Sequence, residues 1–359
     1  DDLPLMTWLE HHIWPAEAQW VSESFVRAGV RLAMAEMIRS GTTAFSDMYF
    51  FPDVVAAEAD RAGMRATVGL IAIDIPTVWA KSASEYIAKG IDVQQSWRGP
   101  SLVRTAWAPH APYTTSDDTL ARIGRLAEEH DSRVHIHLHE TRHEVEEALS
   151  KHGRRPLARL EALGMVNPRL IAVHMTQLED DEIGLLAASG AHVVHCPESN
   201  LKLASGFCPI ARLLTEGVSC ALGTDGAASN NDLDMMGEMR TAALLAKGVS
   251  GDAAALPAPL ALDLATRGGA RALGLDAKVG ALETGMEADM VAIDLSGLST
   301  LPVYNAISQL VYAAGRDQVT DVWIAGRRVL HTGALTTIDE AEAAADARQW
   351  GLKLAPQMG

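Results

Sequence analysis

Val134-His135-Ile136-His137-Leu138-His139-Glu140 is the stretch whose reading decides the fold of this chain. Imidazoles alternate with aliphatic side chains and run straight into a carboxylate. Alternation with a period of two is what a β-strand does with its two faces, so His135, His137 and His139 are expected on one side, with Glu140 at the strand's end. Imidazole and carboxylate are ligands that zinc, iron and manganese accept. A lone histidine would be read as a polar side chain turned to solvent. Three histidines followed by Glu140 shift the reading towards chemistry, without telling which of them is a ligand.

Outward from this stretch the same unit recurs. Short runs rich in β-branched residues end in polar or turn residues and are followed by longer amphipathic patterns. The runs expected as strands are Thr43–Met48, Arg65–Ile71, Val103–Pro109, Arg133–Glu140, Leu170–Met175, His192–Pro197 and Ser219–Asp225. Helices are expected between them, at Asp117–His130, Thr141–His152, Pro156–Leu163, Glu179–Ser189 and Pro209–Glu216. Repeated β-then-α units make a parallel sheet with crossover helices. Seven such units is one short of a closed (β/α)8 barrel, whose usual size the chain also matches. An open doubly wound sheet is the alternative, but no Gly-x-Gly-x-x-Gly follows any strand, so its dinucleotide-binding version has no support.

Polar residues collect at the C-terminal ends of these runs: Asp47, His110, His137 with Glu140, His174, His195 and Asp225. In a parallel barrel those ends converge on the face that carries the active site. Their placement points to an enzyme.

The flanks read differently. Residues 1–40 are expected to be largely helical, with a break at Pro15 and Glu17. Past about residue 275, Met290–Asp294 and a hairpin of Val319–Ile324, Ala325-Gly326 and Arg327–Leu330 indicate a small β-module, closed by a helix over Asp339–Leu354. This divides the chain into a barrel at residues 1–274, a β-sandwich remnant at 275–335 and a C-terminal helix at 336–359. The 359 residues carry a formal net charge of −16, which argues against non-specific binding to nucleic acid or anionic membrane. Three cysteines (Cys196, Cys208 and Cys220) lack metal-type spacing, and Cys196 and Cys220 read as small core residues. With no secretory signal and no apolar run of membrane length, a cytoplasmic protein is expected.

Several of these segments resemble the amidohydrolase superfamily, specifically its methylthioadenosine/S-adenosylhomocysteine deaminase branch. The resemblance rests on His137-Leu138-His139-Glu140-Thr141, Val173-His174-Met175, the run from His195 to Leu203, the run from Leu222 to Asn231, Trp14-Pro15-Ala16-Glu17, Ala108-Pro109-His110-Ala111-Pro112-Tyr113, Phe45-Ser46-Asp47-Met48-Tyr49 and Gly285-Met286-Glu287-Ala288-Asp289. It implies a (β/α)8 TIM-type barrel with part of a small β-sandwich, and one divalent metal ion, zinc first and iron or manganese as alternatives. It implies that His137 and Asp225 are metal ligands. Glu140 becomes the proton shuttle, and His174 a partner of the nucleophilic water and the substrate. Glu17 and His110, together with Glu140, resemble the residues that meet a purine nucleoside. The family's His-x-His pair on the first barrel strand has no equivalent in this chain. The sequence reading therefore expects strands 2–8 of the barrel, with the first strand and the N-terminal half of the sandwich missing and metal binding weakened. His11-His12 is no substitute, because adjacent helical residues point about 100° apart.

Plainer readings stand beside each of these. Asp225 might equally cap a helix by local pattern, and Glu17 suits a first helical turn. His195 is expected to be a hydrogen-bonded core histidine, Asp47 structural, and Asn200 and Lys202 part of the pocket floor. The segment Ala72–Trp79 is mostly apolar, and the only bases between Arg65 and Arg98 are Lys81 and Lys89. A buried carboxylate without a partner is costly, so 5′-methylthioadenosine is expected over S-adenosylhomocysteine, with adenosine as a weaker substrate. The alternatives are a sibling of guanine deaminase or triazine chlorohydrolase type, and a truncated chain that binds without catalysis. An unpaired sheet edge would favour homo-oligomers.

Overall fold

In the computed structural model, which describes residues 2–355, all seven expected strands form and lie side by side in chain order in one parallel sheet. They are β1 (Ala44–Ser46), β2 (Arg65–Ala72), β3 (Val103–Pro109), β4 (Val134–Leu138), β5 (Leu170–His174), β6 (His192–His195) and β7 (Ser219–Leu222). The parallel neighbours are joined by helical crossovers, such as Pro52–Ala62, Ala83–Ser96 and Asp117–Glu129. Helix starts follow their sequence signals: the hydroxyls of Ser82, Ser116 and Thr141 each accept a hydrogen bond from an N–H of the first turn. Every residue of β2 is buried, whereas β4 alternates buried aliphatics with half-buried His135 and His137.

The sheet is strongly curled. Ser46 Oγ on β1 lies 3.3 Å from His135 Nδ1 on β4, although three strand spacings in a flat sheet would hold them roughly 14 Å apart. Side chains that meet across the concave face are what a barrel interior requires. The order is linear, so β1 and β7 are the two edges of the sheet.

One close approach fixes the path of the chain beside β1. The Gly69 N–H donates to Asp47 Oδ1 at 3.0 Å, and a Cβ at Gly69 would stand 2.3 Å from the Asp47 carbonyl oxygen. Only glycine permits that contact, and it gives Asp47 the structural part expected of it.

A second sheet, antiparallel and in the order β11-β10-β9-β8, comprises β8 (Met290–Ile293), β9 (Val319–Ile324), β10 (Arg327–His331) and β11 (Ala334–Leu335). The expected hairpin is there, with Ala325 and Gly326 both at positive φ (48° and 77°) as a tight two-residue turn demands. Arg65, at the start of β2, ties the two sheets together through Glu287 Oε2 at 2.7 Å and both carboxylate oxygens of Asp289 at 2.9 Å. The closing helix Glu340–Leu354 packs on Glu23–Arg39, with Trp350 and Phe25 edge to face at 5.1 Å.

The N-terminal segment corrects one expectation. Pro15 does not break a helix; it follows directly on a π-helical turn, Leu9–Ile13, and the chain stays helical through it into Trp14–Trp20. The break comes later, at extended Val21, before the Ser22-capped helix Glu23–Arg39. His11 and His12 are exposed, as expected of surface histidines. No helix among the described residues is long and apolar enough to cross a membrane.

Candidate active site

A cavity of about 1460 Å³ opens at the C-terminal ends of the parallel strands and continues down the concave face. Glu17, His110, His137, Glu140, His174 and Asp225 all line it, so every expected site residue converges there. They come from the N-terminal helical segment and from the ends of β3, β4, β5 and β7.

His137 projects from β4 with its ring fixed from behind. Its Nδ1 lies 2.7 Å from the His110 carbonyl oxygen. A carbonyl only accepts, so Nδ1 carries the proton and the Nε2 lone pair faces the cavity. His174 has a matching arrangement. Its Nδ1 lies 2.8 Å from Asn200 Oδ1, its ring stacks on that of His137 at 5.5 Å, and its Nε2 is 3.8 Å from Glu140 Oε2. Burial lowers the His174 pKa, against the opposing pull of Asp225 and Asn200.

Two carboxyls in the cavity are driven in opposite directions. Burial pushes Glu140 up to about 7, against the pull of His137. Burial would raise Asp225 as well, but His174, His137 and the hydroxyls of Ser229 and Ser199 outweigh it and hold the group below its ordinary value. Those hydroxyls donate to Asp225 Oδ2 at 2.6 and 2.7 Å, while the Gly226 N–H donates to Oδ1 at 2.7 Å. The N-cap of the short helix that follows is Gly226, so capping is not what Asp225 does. One carboxyl poised near neutrality beside one held ionised is the separation that assigns acid–base and electrostatic work to different groups.

Elsewhere on the lining, the Tyr49 hydroxyl donates to Glu17 Oε1 at 2.9 Å, and burial raises the Glu17 pKa. His110 Nδ1 lies 3.0 Å from Thr114 Oγ1, and burial lowers its pKa to about 3, leaving a neutral ring. His174 and Asp225 have left-handed backbones, at φ 78° and 59°. Non-glycine residues in that region cost free energy and cluster at functional sites.

Several sequence expectations need correction. His139 does not share a face with His135 and His137. Its backbone turns left-handed (φ 51°) as the strand ends, so the alternation stops and the ring packs away from the cavity. There its Nε2 accepts the Leu157 N–H at 3.0 Å, and its Nδ1 sits 3.1 Å from the Gln177 carbonyl. His135 does face the cavity, a neutral ring whose pKa burial lowers to about 3. His195 is buried but not satisfied: neither ring nitrogen has a hydrogen-bond partner. Asn200 and Lys202 are not among the residues lining the cavity. Asn200 stands behind His174, and Lys202 reaches the Ala228 carbonyl and Asn231. Lys81, by contrast, lines the otherwise apolar wall of Ile75, Pro76 and Val78.

The metal expectation is met only in part. His137 Nε2 and the ionised Asp225 are donors of the right chemistry. Among the described residues, however, no group of three or more His, Cys, Asp or Glu side chains is placed to hold an ion. Zinc sites use three or four protein ligands, so these donors do not by themselves close one.

Comparison with known proteins agrees with this geometry. The profile of the amidohydrolase family matches residues 1–329. The chain belongs to that family. A curated amidohydrolase relative from Teredinibacter turnerae, named 5-methylthioadenosine/S-adenosylhomocysteine deaminase, is 52% identical over 99% of this chain and 80% of its own length. The crystal structure of an adenosine deaminase from Xanthomonas campestris with bound zinc superimposes with a TM-score of 0.98 at 54% identity, covering 99% of this chain and 81% of that one. An atrazine chlorohydrolase from Arthrobacter aurescens, 21% identical, matches with a TM-score of 0.91 over 97% of this chain and 82% of its own. At that identity the likeness shows the fold alone.

Sequence reasoning included Tyr49, Ser199 and Ser229 in its motifs but gave none of them a role. Tyr49 is 32 residues from Glu17, and no local pattern announces a contact of that range. Ser229 lies within the motif that pointed to Asp225, and its four-residue spacing from that aspartate was a usable signal.

Proposed function

We propose that this chain is a hydrolytic deaminase of adenine nucleosides, with 5′-methylthioadenosine as its preferred substrate and 5′-methylthioinosine and ammonia as products. The observation that carries the reading is the pair Glu140 and Asp225, one carboxyl raised to about 7 and the other kept ionised in the same cavity. The deaminase relatives support the substrate class. A divalent ion, zinc first and iron or manganese otherwise, belongs to this reading, with His137 and Asp225 as its donors. When bound, such an ion lowers the pKa of water from 15.7 to about 7.

The chain's own groups do the rest. Glu140 carries a proton about half the time at neutral pH, so it can protonate the ring nitrogen beside the amino-bearing carbon, and the carboxylate this leaves can take a proton from the attacking water and pass it to departing ammonia. His174 offers its Nε2 lone pair to the attacking water, and Asp225 accepts a hydrogen bond from it. Glu17 and His110, which line the same cavity, meet the nucleoside. Ile75, Pro76 and Val78 suit a methylthio group. In the same reading β1–β7 are strands 2–8 of a TIM-type barrel and β8–β11 belong to a small β-sandwich, in a cytoplasmic protein.

Ammonia release tests the proposal, measured on 5′-methylthioadenosine, adenosine, S-adenosylhomocysteine and guanine, with chloride release from a chlorotriazine alongside. The expected kcat/KM for 5′-methylthioadenosine exceeds that for S-adenosylhomocysteine by about tenfold or more, the discrimination available to a pocket that leaves a carboxylate poorly paired. Equal values would reject the preference. Turnover of guanine or the triazine alone would reject the class.

A further inference from the structure

We infer that Glu144, outside the cavity, is the positioning residue that aims Glu140. Its carboxylate is 4% exposed and spans two successive main-chain N–H groups. Oε1 accepts from His139 at 3.0 Å and Oε2 from Glu140 at 2.7 Å. The left-handed turn at His139 (φ 51°) brings those N–H groups to one side, forming a concavity of donors that takes acceptor oxygens. Glu144 fills it from within the chain.

The carboxylate is itself held. Glu144 sits in the first turn of the helix Arg142–His152, and its own N–H donates to the hydroxyl of the N-cap Thr141 at 3.2 Å. An N-terminal glutamate of this kind usually reaches back only to the cap residue's N–H. Here it reaches one and two residues further, onto the residue that ends in the cavity. From the other side, Thr176 Oγ1 donates to the Glu140 carbonyl at 2.7 Å. The main chain of Glu140 is thus clamped at its N–H by Glu144 and at its C=O by Thr176. A side chain that moves protons must be held to a fraction of an ångström, and the clamp on N–H is an ionisable group that touches no reacting atom.

This inference rests on the reading that Glu140 transfers protons, and the experiment separates the two. The variants are Glu144→Gln, Glu140→Gln and the double substitution, with kcat and KM measured on 5′-methylthioadenosine and Tm recorded for each. Glu144→Gln turns an amide NH2 towards one of the two N–H groups and removes one of the clamps. It is expected to lower kcat about 10- to 100-fold, the cost of displacing a reacting group by an ångström, with KM within about twofold. Because Glu144 acts through Glu140, the double variant is expected to be no slower than Glu140→Gln alone. Glu144→Asp, too short to reach both N–H groups, is expected to show the same kcat loss and serves should Glu144→Gln not fold. A fall in Tm with kcat unchanged, or kcat losses that multiply in the double variant, would overturn the inference and leave Glu144 a helix-stabilising residue. Wild-type kcat in Glu140→Gln would instead overturn the proton-transfer reading, and the inference with it.

Discussion

Asn200 does for His174 what the His110 carbonyl does for His137: each accepts the Nδ1 proton and leaves Nε2 bare towards the cavity. Removing the acceptor frees the ring to exchange tautomers and turn. Asn200→Leu is expected to lower kcat about 10- to 100-fold, the usual cost of deleting a group that orients an active-site imidazole. Steady-state kinetics with a Tm control checks it, and kcat within twofold of wild type would place the constraint elsewhere. Lys81 is the one lysine or arginine among the described residues lining the cavity, and its ammonium lies on an exposed path, donating to the Thr77 carbonyl at 2.5 Å. An exposed ion pair is worth under about 1 kcal/mol. Lys81→Ala is therefore expected to cut kcat/KM for S-adenosylhomocysteine by about threefold to fivefold and to leave 5′-methylthioadenosine unaffected, read from paired assays. At this scale the sequence disclosed residue types with their spacing, and nothing of rotamer or partner. His139 shows the boundary: alternation placed it with His137, and a single left-handed φ took it away. The orphaned ring of His195 and the Tyr49–Glu17 bond depend on packing between distant segments, which no local pattern encodes.

The elements were the most legible level, because a seven-fold repeat of period-two runs and amphipathic stretches is redundant. All seven strands form; five end one to three residues short of their predicted C-terminal limits, β3 ends on its limit and β2 runs one residue past it. Of the polar residues that closed these runs, Asp47, His110, His137, Glu140, His174 and Asp225 line the cavity, and His195 does not. The long helix Met235–Ser250 carries a further buried acid, Glu238, which accepts from Asn230 Nδ2 at 2.6 Å. Burial, with Glu198 nearby, pushes Glu238 up to about 9. A carboxyl whose pKa is raised on folding contributes nothing unfavourable below its unfolded value near 4.5 and costs stability progressively as pH rises to its folded value. Glu238→Gln, which cannot ionise, is expected to flatten the fall in Tm between pH 5 and pH 9 and to be more stable than wild type at pH 8. Thermal melts across that range decide the matter, and parallel curves for the two proteins would refute it.

At the scale of the molecule, the second sheet is secured to the first through Arg65, whose side chain is 5% exposed and meets an Asp289 side chain 3% exposed. Removing one member of a buried pair strands the other's charge, at about 3–5 kcal/mol. Arg65→Met is expected to lower the urea midpoint accordingly, read from equilibrium unfolding of the two proteins side by side. The Gly285–Asp289 motif announced the presence of this module, but not its fastening, because Arg65 is 222 residues from Glu287 and 224 from Asp289. Chain order fixed the succession of strands, and the curl appeared only when Ser46 was seen touching His135.

That curl has a mechanical corollary. A hoop that closes on itself resists being sprung, whereas an arc of seven staves is stiff only through what touches across its hollow. Asp225 follows the last stave and His137 rides on the fourth. A ligand held by both side chains would therefore span from the middle of the arc to its last stave.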